Sequence, residues 1–158
     1  MVLNKCVSCG SSPKHERLTV DSFALRHLDD HFSVFANAAY QDGENDDTGE
    51  YLNSITLLSG IAGISFEQAS LSTELIVNWT DRMDKINEGN LEIAGYGTID
   101  LLATYVFTDN LTVNLALTNL ADKEYVQYLN GSNHKDVSTL NDVIDPGRSF
   151  SATVRYAF

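Results

Sequence analysis

Apolar and polar residues alternate strictly along the end of the chain. Reading back from the terminus, every second residue is apolar: Phe158, Tyr156, Val154, Ala152 and Phe150. The residues between them, Ala157, Arg155, Thr153, Ser151 and Ser149, are small or polar. A period of two predicts a β-strand with one greasy face and one wet face. The strand runs to an aromatic residue at the terminus itself, where chain ends usually fray.

The same period recurs upstream. Phe32–Tyr40 places Phe32, Val34, Ala36, Ala38 and Tyr40 on one side, with the bulkier Phe35 among small and polar residues on the other. Gly60–Phe66, Leu71–Trp79, Tyr96–Phe107 and Leu111–Leu117 alternate likewise, so about six strands are predicted. Their connections run long, short, long, short, long. Residues 67–70 and 108–110 form minimal turns, whereas 41–59, 80–95 and 118–146 are extended loops.

Aromatics gather at the strand ends. Tyr40, Trp79, Tyr96 and Phe150 would form one belt, and Phe32, Phe66, Phe107 and Phe158 the other. The eight steps from Phe32 to Tyr40 span ~26 Å along a strand. Tilted by about 45°, they cover ~19 Å of membrane normal, close to the height of a barrel's apolar band. Loop asymmetry and paired belts therefore point to an antiparallel up-and-down transmembrane β-barrel segment with long outer loops and short periplasmic turns. On that reading Val34, Leu75, Val77, Leu101, Leu115 and Val154 face lipid. Glu74, Asp100 and Arg155 belong to a wet lumen. A soluble up-and-down barrel with its apolar face inside has the same alternation and is the competing class, as a binder of an apolar ligand. A self-associating outer-membrane structural protein is a third.

Composition narrows the alternatives. Apolar residues make up 43% of the 158 and charged residues 20%, which excludes global disorder. No apolar run is long enough for a transmembrane helix. A net charge of −12 argues against nucleic acid as a partner. Residues 1–24 lack sustained periodicity and any signal-peptide apolar core, so they are expected to be a disordered or non-native leader, with 25–158 as the folded part.

Candidate chemistry is sparse. Cys6 and Cys9 form a lone C-x-x-C without the second pair or histidines of a zinc site. Asp42, Glu44, Asp46, Asp47 and Glu50 make an acidic loop. Asp47, however, stands where a calcium loop needs glycine. His27 and His31, if on one strand, would lie about 13 Å apart, too far to share an ion. His134, in the last long loop, is a candidate ligand contact. No Ser-His-Asp, phosphate-loop or H-E-x-x-H arrangement is present, so neither an enzyme nor a cofactor or metal site is expected.

A set of short motifs carries more information. These are Ile99-Asp100-Leu101, T-D-N-L-T-V at 108–113, and Asn119-Leu120-Ala121-Asp122-Lys123-Glu124-Tyr125. Pro146-Gly147-Arg148-Ser149-Phe150 and the terminal Phe158 complete it. Together they resemble the C-terminal end of TonB-dependent outer-membrane receptors, with Ala121 standing where members often carry an aromatic. The stretch Asp47–Ile55 resembles a loop of the haem, haemoglobin and transferrin-type branch, without the proline that commonly follows.

The resemblance implies a fragment of a wide plugged barrel in a Gram-negative outer membrane, serving uptake of haem or another iron source and unable to transport alone. It implies lipid, the rest of the barrel and the plug as partners, with TonB reached only through that plug. It implies that Phe150, Val154, Tyr156 and Phe158 form a signal read by the barrel-assembly machinery. Asn119, Leu120, Asp122, Lys123, Tyr125, Pro146, Gly147 and Arg148 are the family-motif residues, and His134, Tyr125 and Tyr128 the outer-loop residues placed to touch a ligand.

Overall fold

The computed structural model of the chain describes residues 2–12, 15–45, 47–51, 58–87, 89–131 and 136–158. They form one antiparallel sheet of eight strands in sequence order. These are β1 (Val2–Ser12), β2 (His15–His27), β3 (Phe32–Asn45), β4 (Leu58–Gln68), β5 (Leu71–Thr80), β6 (Tyr96–Thr108), β7 (Leu111–Thr118) and β8 (Ser149–Tyr156). β1 and β8 are the two edges, so the sheet is an open arc and not the small closed barrel of the competing soluble class.

The six predicted strands are all present, as β3 to β8, and each runs a little beyond or short of its predicted bounds. The first two strands correct the expectation for residues 1–24, which carry β1 and most of β2. Neither alternates cleanly. Along β2, Val20, Ser22, Ala24 and Arg26 share one face and Thr19, Asp21, Phe23 and Leu25 the other, so both faces are mixed. Their placement comes from pairing: β2 pairs with β3, in register from His15 opposite Asn45 to His27 opposite Ser33, and β1 pairs with β2.

Cross-strand register makes the apolar face continuous. Tracing one row, Val34 pairs with Ile64, Ile64 with Leu75, Leu75 with Leu101, and Leu101 with Leu117, which pairs with Phe150. A parallel row runs Ala62–Val77–Ile99. Among the described residues nothing covers this face: Leu75, Leu115 and Val154 are exposed, Val154 to 66%. The buried hydrophobic residues among those described are Met83, Ile93 and Tyr128, and none lies in the wall. The apolar face is therefore built to meet a nonpolar solvent.

The opposite face is hydrogen-bonded across strands. Ser33 meets Ser65 at 3.0 Å, Thr104 donates to Asn114 at 2.8 Å, and Thr118 meets Ser149 at 2.6 Å. Phe35, the large residue on this face, is accommodated by its partner Gly63: a Cβ there would clash with the Phe35 ring. Trp79 lies over its partner Gly60 on the apolar face in the same manner.

The inner belt is a set of ring pairs. Phe32 and Phe66 are cross-strand partners with centroids 4.9 Å apart, Tyr105 and Phe107 lie 4.6 Å apart, and Tyr156 and Phe158 5.1 Å apart. The pairing shifts between Val106 and Thr108, so Phe107 sits in an irregularity at the end of β6. Tyr96 corrects the outer belt. It follows the period of Thr98 and Asp100 and so lies on the polar face, leaving Tyr40, Trp79 and Phe150 in that belt.

Candidate functional site

The family-motif residues converge at the outer end of β6, β7 and β8, where the chain leaves β7 at Thr118 and re-enters the sheet at Ser149. Asn119 adopts φ 51° and Asp122 φ 53°, a left-handed conformation that Asn and Asp tolerate better than other side chains. These two residues fold the chain back sharply. The Asn119 side chain then closes the turn: Lys123 N donates to its Oδ1 at 2.9 Å, and its Nδ2 donates to Lys123 O at 2.8 Å. Asn119 N donates to Asp100 Oδ1 at 2.8 Å, tying the turn to β6. Leu120 N donates to Ile99 O at 2.8 Å and extends that attachment.

The P-G-R segment docks on the same turn. Arg148 N donates to Asp122 Oδ1 at 2.8 Å and its guanidinium lies 3.7 Å from Oδ2. Gly147 leaves room for this contact, since a Cβ would come within 2.7 Å of Asp122 Oδ1 and displace the carboxylate. The two ends of the long loop are thus clasped to each other and to the wall.

Within the loop, helices α1 (Tyr128–Gly131) and α2 (Val137–Leu140) are followed by a 3-10 turn at Asn141–Val143. Asp136 caps α2 through Ser138 N at 2.9 Å. That backbone hydrogen bond, followed by one from the Ser138 side chain, holds its carboxyl below the usual carboxylate range. Gln127 and Asp145 bridge the loop, with Gln127 Nε2 donating to Asp145 Oδ1 at 2.8 Å.

Beneath the clasp, on the polar face, lies an open cleft of about 410 Å³. Tyr96, Asp100, Asn78, Tyr125 and Gln127 are among its lining. Tyr96 and Tyr125 stack with centroids 4.1 Å apart and planes at 21°. Asn78 Nδ2 donates to Asp100 Oδ2 at 2.9 Å, so both Asp100 oxygens accept a bond from the protein. Burial raises the pKa of the Tyr125 phenol, assisted by the Asp145 charge.

The three expected ligand contacts have different fates. Tyr125 faces the cleft. Tyr128 is 5% exposed and packs with Met83 and Ile93, where burial raises its pKa; its surface is used for packing and is not open to a ligand. His134 lies outside the described residues.

The acidic loop does not assemble. Asp42 is paired with Lys85 at 2.6 Å, Asp46 lies outside the described residues, and no three metal-binding side chains cluster among those described. His27 ends β2 while His31 sits in the turn before β3, with its Nδ1 3.1 Å from Glu67 O. Cys6 stands opposite Asp21 and Cys9 opposite Leu18 in the β1–β2 register, and their side chains lie outside those described. Sequence reasoning missed the Tyr96–Tyr125 stack and the Gln127–Asp145 bridge, both contacts between distant segments. The spacing from Thr98 to Tyr96 was the one available signal for the first.

The sequence matches the family described as TonB dependent receptor-like, beta-barrel, over residues 18–120. No curated protein matches it. Its fold is similar to the copper transporter OprC, at 22% identity and a TM-score of 0.80, covering 91% of this chain and 24% of that one. It is similar to the ferric enterobactin receptor PfeA of Pseudomonas aeruginosa, at 19% identity and 0.75, covering 91% and 22%. The ferripyoverdine receptor of the Pseudomonas aeruginosa outer membrane matches at 16% identity and 0.64, covering 91% and 20%. The chain therefore spans about a quarter or less of each of these structures. The family match covers most of the chain and includes β3 to β7. The chain belongs to the TonB-dependent receptor β-barrel family, whose barrels stand in the outer membrane of Gram-negative bacteria.

Proposed function

We propose that the chain forms a C-terminal portion of the barrel wall of a receptor that takes up an iron source or a related metal complex. The observation that carries this reading is the uninterrupted apolar face from β3 to β8, backed by a hydrogen-bonded polar face. Such a wall separates lipid from a wet lumen. The rest of the wall, a plug within it and TonB acting through that plug are the partners this reading requires. The chain by itself does not transport, because an open arc exposes unpaired backbone groups that lipid does not tolerate.

The cargo class is supported by the names of the similar structures, a copper transporter and receptors for ferric enterobactin and ferripyoverdine. Haem as the specific cargo is supported by the Asp47–Ile55 stretch alone. Tyr125, facing the lumen-side cleft, is the residue proposed to meet the cargo or its carrier. Phe150, Val154, Tyr156 and Phe158 are proposed as the segment engaged by the barrel-assembly machinery, with lipid as the later partner of the same side chains. The test is a chromosomal disruption of the gene followed by uptake of labelled iron, presented as haem and as ferric siderophores, and of copper. Loss of one uptake supports the reading and names the cargo; unchanged uptake of all of them sinks it.

A further inference from the structure

The polar-face cleft beneath the clasp is electronegative. Asp100 meets neutral donors, Asn119 N and Asn78 Nδ2, and no cation pairs with it among the described residues. Asp145 likewise accepts from the backbone N and the side-chain Nε2 of Gln127. Burial, and after it the Asp145 and Asp100 charges, raise the Tyr125 phenol, so its hydroxyl lies in a negative field. Among the described residues, neither lysine nor arginine lines the cleft.

The cleft is also rich in acceptors. Asn78 commits its Nδ2 to Asp100 Oδ2 at 2.9 Å and to Thr98 Oγ1 at 3.3 Å, and Gln127 commits its Nε2 to Asp145. Those bonds fix which end of each amide is nitrogen. Each amide keeps an oxygen that accepts no bond among the described residues. Tyr96 and Tyr125, stacked with centroids 4.1 Å apart, border the same space with aromatic rings. Free acceptors, carboxylates without a cation and aromatic rings together suit a positively charged group rich in N–H donors. An anion would meet like charge there and find few donors.

We propose that this cleft selects the cargo, or its carrier, by a protonated amine, which seats between Asp100 and the tyrosine pair. The amide oxygens of Asn78 and Gln127 take its N–H groups, and a purely anionic chelate is disfavoured. At about 410 Å³ the cleft admits a small amine-bearing moiety. The proposal rests on the wall reading above for access from the lumen. Its binding chemistry is measured on purified protein without uptake, so the two can fail separately.

The test is calorimetric titration of the whole protein, extracted from outer membranes in an uncharged detergent. The probes are phenethylamine, phenethyl alcohol and hydrocinnamate, similar in shape but cationic, neutral and anionic in turn. Wild type should bind the amine about tenfold more tightly than the alcohol, with the carboxylate weakest. Tyr96→Leu should weaken the amine about fivefold and leave the carboxylate unchanged. Thr118 lines the cleft and bonds there to Ser149 Oγ, so Thr118→Lys places a cation on the lining with the amides and tyrosines intact. It should reverse the order of amine and carboxylate. Heat-modified mobility checks that each variant is folded before titration. Equal affinity for the three probes, no binding of the amine, a wild-type preference for the carboxylate, or an order that Thr118→Lys leaves unchanged would overturn the proposal.

Discussion

Asn119 grips both backbone groups of Lys123, accepting from its N–H and donating to its carbonyl, while its own N–H is held by Asp100. The residue is 4% exposed, and its buried amide is partnered at both its oxygen and its nitrogen. Replacing it orphans groups at the point where the long loop joins the wall. Asn119→Gly keeps the left-handed backbone available and removes only the side-chain bonds, at a cost of about 1–3 kcal/mol. Asn119→Ala adds about 1 kcal/mol for its φ. Amide exchange at Lys123 and Asp145, together with the temperature of heat-modified mobility, should rank wild type above Gly and Gly above Ala. Equal behaviour of all three would remove the clasp.

Gly60 and Gly97 both stand opposite Trp79, on either side of it. Only Gly60 lies under the indole; a Cβ at Gly97 would find its nearest neighbour 3.5 Å away. Gly60→Ala should therefore destabilise by about 1–3 kcal/mol through overpacking. Gly97→Ala should be neutral or mildly stabilising. Thermal unfolding in detergent measures both, and a reversed order would show that the indole packs on the other side.

Leu115 and Asn114 are neighbours on opposite faces of β7. Leu115 is exposed between Ala103 and Ala152, whereas Asn114 accepts from Thr104 in the wet network. An arginine at Leu115 should cost about 2–4 kcal/mol at mid-membrane, and one at Asn114 much less. Outer-membrane yield of the two variants reads the difference directly. Equal losses would mean that the faces are misassigned.

The closing strand ends on a fully exposed ring. Phe158 packs edge-on against Tyr156, while Ala157 N donates to Asn110 O and Ala157 O accepts from Asn110 Nδ2. Deleting Phe158 should sharply reduce surface assembly, because an aromatic end guides strand addition and then anchors the interface. Ala157→Ser retains both backbone bonds and should assemble normally. Wild-type yield after the deletion would separate this residue from assembly.

The Asp42–Lys85 ion pair, 2.6 Å long, should respond to pH in one direction. The hydrogen bond from Asp42 raises the Lys85 pKa above that of an ordinary lysine. A raised folded-state pKa stabilises fully below the unfolded value and is lost as pH climbs through the raised one. The Tyr51 amide donates to Asn87 Oδ1 beside this pair, with the Lys85 ammonium 5.9 Å from the Tyr51 ring centroid, so its protection should hold from neutral pH into the mildly alkaline range, then fall at strongly alkaline pH. In Lys85→Gln no such fall should remain.

The sequence by itself determined the wall from β3 to β8. Strict alternation sets which side chains share a face, and a slip of one residue would move every apolar group into the lumen, so period two specifies both strand and side. It also determined the short inner turns and the terminal motifs, because turn chemistry and terminal aromatics are local. The tertiary structure alone decided the rest. β2 carries mixed faces, so its strand character comes from pairing with β3, and β1 in turn pairs with β2, which no local period records. Tyr128 looked like an exposed loop tyrosine until Met83 and Ile93, far away in the chain, closed over it. Phe35 on the wet face made sense only once Gly63 stood opposite it. Alternation is a property of neighbours in sequence, whereas burial depends on which distant segment arrives, and only the folded chain brings those segments together.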